Sequence, residues 1–407
     1  MKNIIVGQSG GPTSAINASL AGVYAEAKKY DNVKVYGMIT GIQGLIEGKY
    51  VDLDDYIKSE DDIRILKQTP SSALGSCRYK LPKQEDDINV YEKIFDELKK
   101  LDVECFVYIG GNDSMDTVKK LSKYARDINS DIRFVGVPKT IDNDLPVTDY
   151  TPGFGSAAKY ISTLTKEIIC DSYVYDLKSV TVIEIMGRNA GWLTASAALA
   201  KDDDCVGVDM IYLPEMSFDI EACKEKTKEL LKEKNTVVIA VSEALRNAEG
   251  NYITEDGSVH AGLDAFGHKI MSGTGQFLAQ YLGKSLNVKS RGIELNTPQR
   301  CAAHIASRQD LEESFDCGSK AVEAAKSGES GKMMVIVRDE TQEYSYHIEA
   351  ASIEGIANFE KKVPLDWIIN DGSYVSDEFI KYCRPLICGD VHIVKKNGLP
   401  VHFRIDK

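Results

Sequence analysis

Phe106-Val107-Tyr108-Ile109-Gly110-Gly111-Asn112-Asp113-Ser114 and the similarly built Phe134-Val135-Gly136-Val137-Pro138-Lys139-Thr140-Ile141-Asp142-Asn143-Asp144 decide the fold. Each begins as an apolar, β-branched and aromatic run and ends in a polar turn. Runs of that kind read as strands buried on both faces, and so as parallel strands of an α/β sheet. Both turns then fall at strand C-termini, where open α/β sheets place their ligands. Glycines in the first turn let backbone N–H groups approach anionic oxygens. The second turn carries an ammonium, Lys139, and two carboxylates, Asp142 and Asp144. Transfer of a phosphoryl group to a hydroxyl needs that set: a base, a metal-side anchor and a charge clamp.

Outward from these turns, strand-like runs alternate with helical patterns. Asn3-Ile4-Ile5-Val6 is followed by a helix over Thr13 to Lys29 and a strand over Val33 to Met38. This order predicts a doubly wound, mostly parallel sheet. A second series has strands at Val180 to Ile185, Met210 to Leu213 and Thr236 to Val241, and predicts a second lobe. Apolar spacing over Asp264 to Gly283 suits a helix leading into Arg291 to Arg308, after which Met333 to Val337 reads as one more strand. No internal repeat or low-complexity tract stands out.

A chain of 407 residues with 43% hydrophobic content exceeds the usual size of one domain and can bury a large core. The net charge of -13 opposes non-specific nucleic-acid binding, because a polyanion meets like charge over most of the surface. Any phosphate site must therefore be a local basic pocket. No stretch approaches the roughly eighteen apolar residues of a membrane span, and the first strand leaves no room for a signal peptide; the expectation is a cytoplasmic protein. Nine cysteines without a Cys-x-x-Cys pair indicate neither a zinc site nor a disulfide framework. The six histidines form no metal motif, and His304 reads as a core or helix-face residue.

Further clusters have both functional and ordinary readings. Gln8-Ser9-Gly10-Gly11-Pro12-Thr13 joins the first strand to its helix, either as an anion cradle or as a tight turn with a Thr cap. It lacks the Lys of a Walker loop, and no such loop occurs elsewhere. Gly75-Ser76-Cys77-Arg78 offers a guanidinium suited to phosphate, or a solvated surface Arg. Met186-Gly187-Arg188 follows a strand C-terminus, where the functional reading leads. Glu243 follows the Thr236 strand and suits sugar hydroxyls; Arg300, in Thr297-Pro298-Gln299-Arg300, suits a sugar phosphate; alone, each is a routine surface charge.

Taken in order, Ser9-Gly10-Gly11, Gly75 to Arg78, Gly110 to Ser114, Thr140 to Asp144, Met186-Gly187-Arg188, Glu243 and Gln299-Arg300 resemble the motif series of the phosphofructokinases, over roughly residues 3 to 310. The resemblance implies two Rossmann-like lobes with mostly parallel sheets. It implies a donor-binding lobe over residues 1–150, completed by part of 260–330, a sugar-phosphate lobe over 151–260, and a C-terminal extension over 331–407 packed on the lobes. ATP-using members carry glycine where this chain has Asp113 and Lys139, whereas pyrophosphate-using members resemble it there. The physics agrees, since a carboxylate at Asp113 repels a nucleotide α-phosphate while Lys139 offsets charge on the smaller pyrophosphate. Ile46 stands where bacterial ATP-using relatives stack an aromatic on adenine.

The activity so implied is reversible transfer of a phosphoryl group from Mg²⁺-pyrophosphate to the 1-hydroxyl of fructose 6-phosphate. Asp142 would be the base, with Lys139 and Asp113 as its catalytic partners. Thr140, Ile141, Asp144, Met186, Gly187, Arg188, Glu243, Thr297 and Arg300 would hold the sugar phosphate, and Gly10, Gly11, Arg78 and Gly111 the pyrophosphate. Asn112 stands where the family's metal-side Asp usually falls, so Asp144 would share the Mg²⁺. The arginine that a neighbouring subunit supplies in bacterial relatives falls near Ser179, with Lys178 as its substitute, and a homodimer or homotetramer is expected. Tyr382-Cys383-Arg384-Pro385 suits either site or structure. The rival readings are an ATP-dependent enzyme and a non-catalytic sugar-phosphate-sensing subunit of the same fold.

Overall fold

A computed structural model describes residues 2–254 and 273–405. The strands of the two main sheets are, in chain order, β1 (Asn3–Gln8), β2 (Val35–Met38), β3 (Tyr50–Asp52), β4 (Val103–Gly110), β5 (Arg133–Pro138), β6 (Ser179–Ile185), β7 (Met210–Tyr212), β8 (Thr236–Ser242), β9 (Lys289–Glu294), β10 (Lys332–Arg338) and β11 (Tyr346–Ser352). Helices α1 (Ile16–Ala27), α2 (Gly41–Ile46), α3 (Glu60–Gln68), α4 (Ile88–Lys100), α5 (Asn112–Asp127) and α6 (Phe154–Ser172) fall in the first part of the chain. Then come α7 (Trp192–Ala195), α8 (Ile220–Glu233), α9 (Thr274–Leu286), α10 (Pro298–Cys301), α11 (Arg308–Lys326) and α12 (Asp377–Cys383). None of the described helices is long and apolar enough to cross a membrane.

The chain divides into two compact units: one of residues 1–156, 300–360 and 389–407, the other of residues 157–299 and 361–388. The first holds a seven-stranded sheet in the order β11-β10-β5-β4-β1-β2-β3. Its five central strands are parallel, and the two edges, β3 and β11, run antiparallel. The runs that suggested parallel strands are neighbours in this sheet: Phe106 pairs with Phe134 and Gly110 with Pro138. Both are buried along almost their whole length, as strands with helices on both faces must be. Helix α1 is apolar on nearly every side and packs on α11. Glycine permits that closeness, since a Cβ at Gly22 would stand 1.9 Å from the Phe315 carbonyl oxygen.

The second unit holds a four-stranded, wholly parallel sheet in the order β7-β8-β6-β9. Its core gathers Val180, Val182, Val237, Ile239 and Val241 from the strands with Leu278 and Leu282 from α9. Strand β9 lies inside the Arg291 to Arg308 stretch that gave no strand signal. Its sequence, Lys-Ser-Arg-Gly-Ile-Glu, is polar because it is an edge strand with mostly exposed or half-buried side chains. The helix expected over Asp264 to Gly283 is observed from Thr274; its first part lies outside the described residues.

Candidate active site

In the first unit, the pairing of Gly110 with Pro138 brings the two turns out side by side, and the Lys139 N–H donates to the Gly110 carbonyl (2.9 Å). Gly111 is the N-cap of α5, a sixteen-residue helix that starts directly at Asn112. Backbone N–H groups and the positive end of the helix dipole therefore meet at Gly111, where anions are favoured. Asp113 occupies the first turn of that helix and is exposed.

Lys139 is the buried charge of this site, only 2% exposed. Its Nζ donates to the Gly11 carbonyl (2.6 Å). Gly10 is left-handed (φ 78°), and a Cβ there would lie 3.2 Å from Lys139 Nζ, so both backbone and space call for glycine. Burial pushes the ammonium down from 10.5 to about 8; the carboxylates of Asp142 and Asp144 pull upward, while the guanidiniums of Arg300 and Arg78 add to the fall. Those four charges lie within electrostatic reach of Lys139. A Cβ at Gly11 would stand 3.4 Å from an Arg300 guanidinium nitrogen, and Arg300 Nε is buried with no hydrogen-bond partner among the described residues. A multiply charged oxyanion would satisfy such a donor.

The Gly10–Gly11 turn is fastened to the Gly75–Arg78 loop. Cys77 O accepts from Gly10 N (3.2 Å), and Ser76 Oγ donates to Gly10 O (2.6 Å). Helix α1 begins later than expected, at Ile16, because Thr13 Oγ1 caps the N–H groups of Ala15 (3.2 Å) and Ile16 (3.0 Å). The cap and the cradle are thus separate: Thr13 closes the helix, and Gly11 lies outside the cap with its carbonyl on Lys139. Within the second turn the Thr140 hydroxyl donates to Asp142 Oδ2 (3.2 Å) and accepts the Asp142 N–H (3.1 Å), which fixes the half-buried carboxylate. Ile141 beside it is buried.

Asn112, expected on the metal side, is held by two hydrogen bonds. Its Nδ2 donates to Phe359 O (2.6 Å) and its Oδ1 accepts the Asn358 N–H, so both ends of the amide fasten a C-terminal turn. No group of three or more His, Cys, Asp or Glu among the described residues is arranged to hold a metal by itself. The carboxylates of Asp142 and Asp144 near Lys139 supply hard oxygens of the kind a divalent cation takes.

In the second unit, Ile185 pairs with Ser242 at the ends of β6 and β8, and Glu243 N donates to Ile185 O (3.0 Å). Met186, Gly187, Arg188 and Glu243 therefore emerge together. Ser242 Oγ donates to Gly187 O, and Met186 N donates to Gln299 Oε1 (3.1 Å). Thr297 is exposed, its N–H on Asn296 Oδ1 (2.8 Å). Beneath them Glu184 is buried against α9, accepting from Gly275 N (2.7 Å); burial and the charges of Glu294 and Glu243 push it up to about 7.

Other expectations meet a different environment. Lys178, the supposed substitute for a neighbour's arginine, donates to the carbonyls of Leu231 and Lys234 and so closes the end of α8. His304 is exposed in a 3-10 turn. Tyr382 packs between Trp192 and Trp367, and Arg384 donates to Leu199 O (3.4 Å), a structural role. Ile46 packs on the core of its unit. Sequence reasoning placed Gln299 and Asn143 in the motifs but gave them no role: the Gln299 amide holds Met186, and Asn143 is buried and left-handed (φ 54°) between the two carboxylates. Asn-Asp flanking a turn was the available signal for the latter.

Comparison with known proteins agrees with this geometry. The chain is 37% identical over 409 aligned residues to a pyrophosphate--fructose 6-phosphate 1-phosphotransferase of Halomonas elongata, covering 100% of this chain and 96% of the relative. It is 38% identical to the protein of the same name from Methylococcus capsulatus, over 98% of this chain and 94% of the relative. The crystal structure of a pyrophosphate-dependent phosphofructokinase from Marinobacter aquaeolei superposes with a TM-score of 0.87 at 34% identity, covering 100% of this chain and 98% of that one. The family profile described as Phosphofructokinase matches residues 3–325, and with the two turns at the ends of β4 and β5 in place, the chain belongs to the phosphofructokinase family.

Proposed function

We propose that this chain transfers a phosphoryl group from pyrophosphate to the 1-hydroxyl of fructose 6-phosphate, reversibly, giving fructose 1,6-bisphosphate and phosphate. The observation that carries the reading is Lys139, a buried ammonium held on the Gly10–Gly11 turn with Arg300 and Arg78 close by. Asp142 and Asp144 offset part of this positive charge, and a compact polyanion would complete the balance. Full-length relatives that carry this activity in their names support the same donor.

In this reading Asp142, oriented by Thr140, takes the proton of the sugar 1-hydroxyl as that oxygen attacks phosphorus. Lys139 and the N–H groups at Gly11 and Gly111 stabilise charge on the transferring and leaving phosphates. Mg²⁺ would be held by pyrophosphate with Asp144, and its chemistry would be neutralisation of phosphate charge. Asp113 repels the longer polyphosphate of a nucleotide. Thr140, Ile141, Asp144, Met186, Gly187, Arg188, Glu243 and Thr297 bind the sugar phosphate. Arg300, placed beside Gly11, serves the donor side as well. We assign pyrophosphate to the unit containing β4 and β5 and sugar recognition chiefly to the unit containing β6 and β8. The nine cysteines, none of them in a disulfide, suit a cytoplasmic setting, and the family resemblance suggests a homodimer or homotetramer.

The test is Asp142→Asn, which keeps shape but cannot take the proton. kcat should fall about 10²-fold or more while sugar KM stays near wild type. Turnover within a few-fold of wild type would remove Asp142 from the base role.

A further inference from the structure

The turn that carries Asp142 leans on the segment that follows it. Thr140 bridges to Gly153, its N–H on Pro152 O (3.2 Å), and buried Asn143 accepts the N–H of Thr151 on Oδ1 (2.9 Å). Residues 151–156 therefore set where the 140–143 turn lies. That segment hangs in turn from one side chain of α11. Asp310 Oδ1 accepts from Gly153 N (2.9 Å), while Oδ2 accepts from Ser156 N (2.9 Å) and Ser156 Oγ (2.5 Å).

Asp310 is fully buried. Removing a carboxylate from water costs several kcal/mol unless its oxygens are matched by donors, and here three donors supply the match. Only a carboxylate accepts on both oxygens at once; an amide would turn an N–H towards one of these donors. The helix that bears Asp310 does not need that carboxylate, because Ser307 Oγ caps α11 by accepting Asp310 N–H (3.4 Å). Nor does the site need it directly, since its contacts run to backbone and Ser156. Gly153 adds a second link, for a Cβ there would stand 2.9 Å from Thr13 Cγ2 in the turn after Gly11.

We propose that Asp310 is a positioning residue for phosphoryl transfer: by anchoring Gly153 and Ser156 it holds the 140–143 turn, and with it the Asp142 carboxylate, in the reactive place. The proposal rests on Asp142 as the base. A displacement of about 1 Å at a reacting group is enough for a roughly 10²-fold loss of rate, so the anchor's effect falls on kcat.

The experiment is a double-mutant cycle in the full chain, with Asp310→Asn made alone and on the Asp142→Asn background. kcat, both KM values and thermal stability are measured with pyrophosphate and fructose 6-phosphate. Expected is a 10- to 100-fold fall in kcat for Asp310→Asn in folded protein, both KM values within about 3-fold, and no further fall in the Asp142→Asn background. A merely structural role would lower the melting temperature and leave kcat per folded molecule unchanged, or give the same fold-loss in both backgrounds; either result overturns the proposal alone. A wild-type kcat in Asp142→Asn overturns the base assignment, and the proposal with it. Should Asp310→Asn not fold, Ser156→Ala removes one of the three contacts and carries the same comparison, with an expected kcat loss of about 3-fold that again vanishes beside Asp142→Asn.

Discussion

Replacing Lys139 with methionine should stabilise the ligand-free protein at neutral pH while abolishing its chemistry. The drop of the ammonium from 10.5 to about 8 means that the cation costs about 3 kcal/mol more in the fold than in the open chain, at roughly 1.4 kcal/mol per factor of ten. Because the folded value lies below the unfolded one, this penalty is fully present below pH 8 and disappears as pH rises towards 10.5. Methionine fills a similar volume without charge and loses only the bond to Gly11 O, worth about 1 kcal/mol. The net gain at pH 7 is therefore about 2 kcal/mol, or some 4–8 °C in melting temperature for a unit of this size. At pH 10.5 only the lost bond remains and the variant should be the less stable. Scanning calorimetry of both proteins at pH 7 and pH 10.5 tests the reversal. A variant that is less stable by the same margin at both values would refute the reasoning, since Lys139 would then be an ordinary structural prop. In the same protein pyrophosphate-dependent kcat should fall by about 10² or more, the loss typical of removing a preorganised charge from a transferring group.

Three further outcomes follow from the site and its surroundings. Asp113→Gly should weaken nucleotide exclusion, so that a trace of ATP-dependent turnover emerges, small because Ile46 packs on the core and offers no stacking face; unchanged ATP turnover would take Asp113 out of donor selection. Arg300→Ala should raise KM for both pyrophosphate and the sugar phosphate, because its guanidinium lies at Gly11; a change in the sugar KM alone would place it wholly on the acceptor side. Glu313→Gln should flatten the dependence of melting temperature on pH. Burial raises that carboxyl from 4.5 to about 8, so wild-type stability conferred by the bound proton is present below pH 4.5 and lost as pH climbs towards 8; equal slopes for the two proteins would show that the group is ionised in the fold.

Much of this molecule was legible from local patterns because its central strands are buried on both faces. Such strands announce themselves as unbroken apolar runs, as Phe106 to Ile109 and Phe134 to Val137 do. Strand β9 was hidden for the opposite reason. At a sheet edge Lys289 and Arg291 satisfy solvent rather than a core, and no apolar run forms. Long-range closure was equally invisible: β10 joins β5 in the first sheet, so residues 332–352 extend that sheet. Within the site, residue types at strand ends were readable, whereas partners from distant segments were not. That Asn358 and Phe359 hold the Asn112 amide, for example, is written nowhere in the local sequence. Asp310 gave no local signal, because its carboxylate finds its partners in Gly153 and Ser156, far away in sequence.

The central claim concerns the phosphoryl donor, and one measurement addresses it directly: purified protein with fructose 6-phosphate and Mg²⁺, given either pyrophosphate or ATP, followed by formation of fructose 1,6-bisphosphate. With Lys139 buried on the Gly10–Gly11 turn and Asp113 at the start of α5, the bisphosphate should form with pyrophosphate at a kcat/KM at least 10²-fold above that with ATP, and phosphate plus bisphosphate should regenerate pyrophosphate. Robust turnover with ATP and none with pyrophosphate would contradict the account.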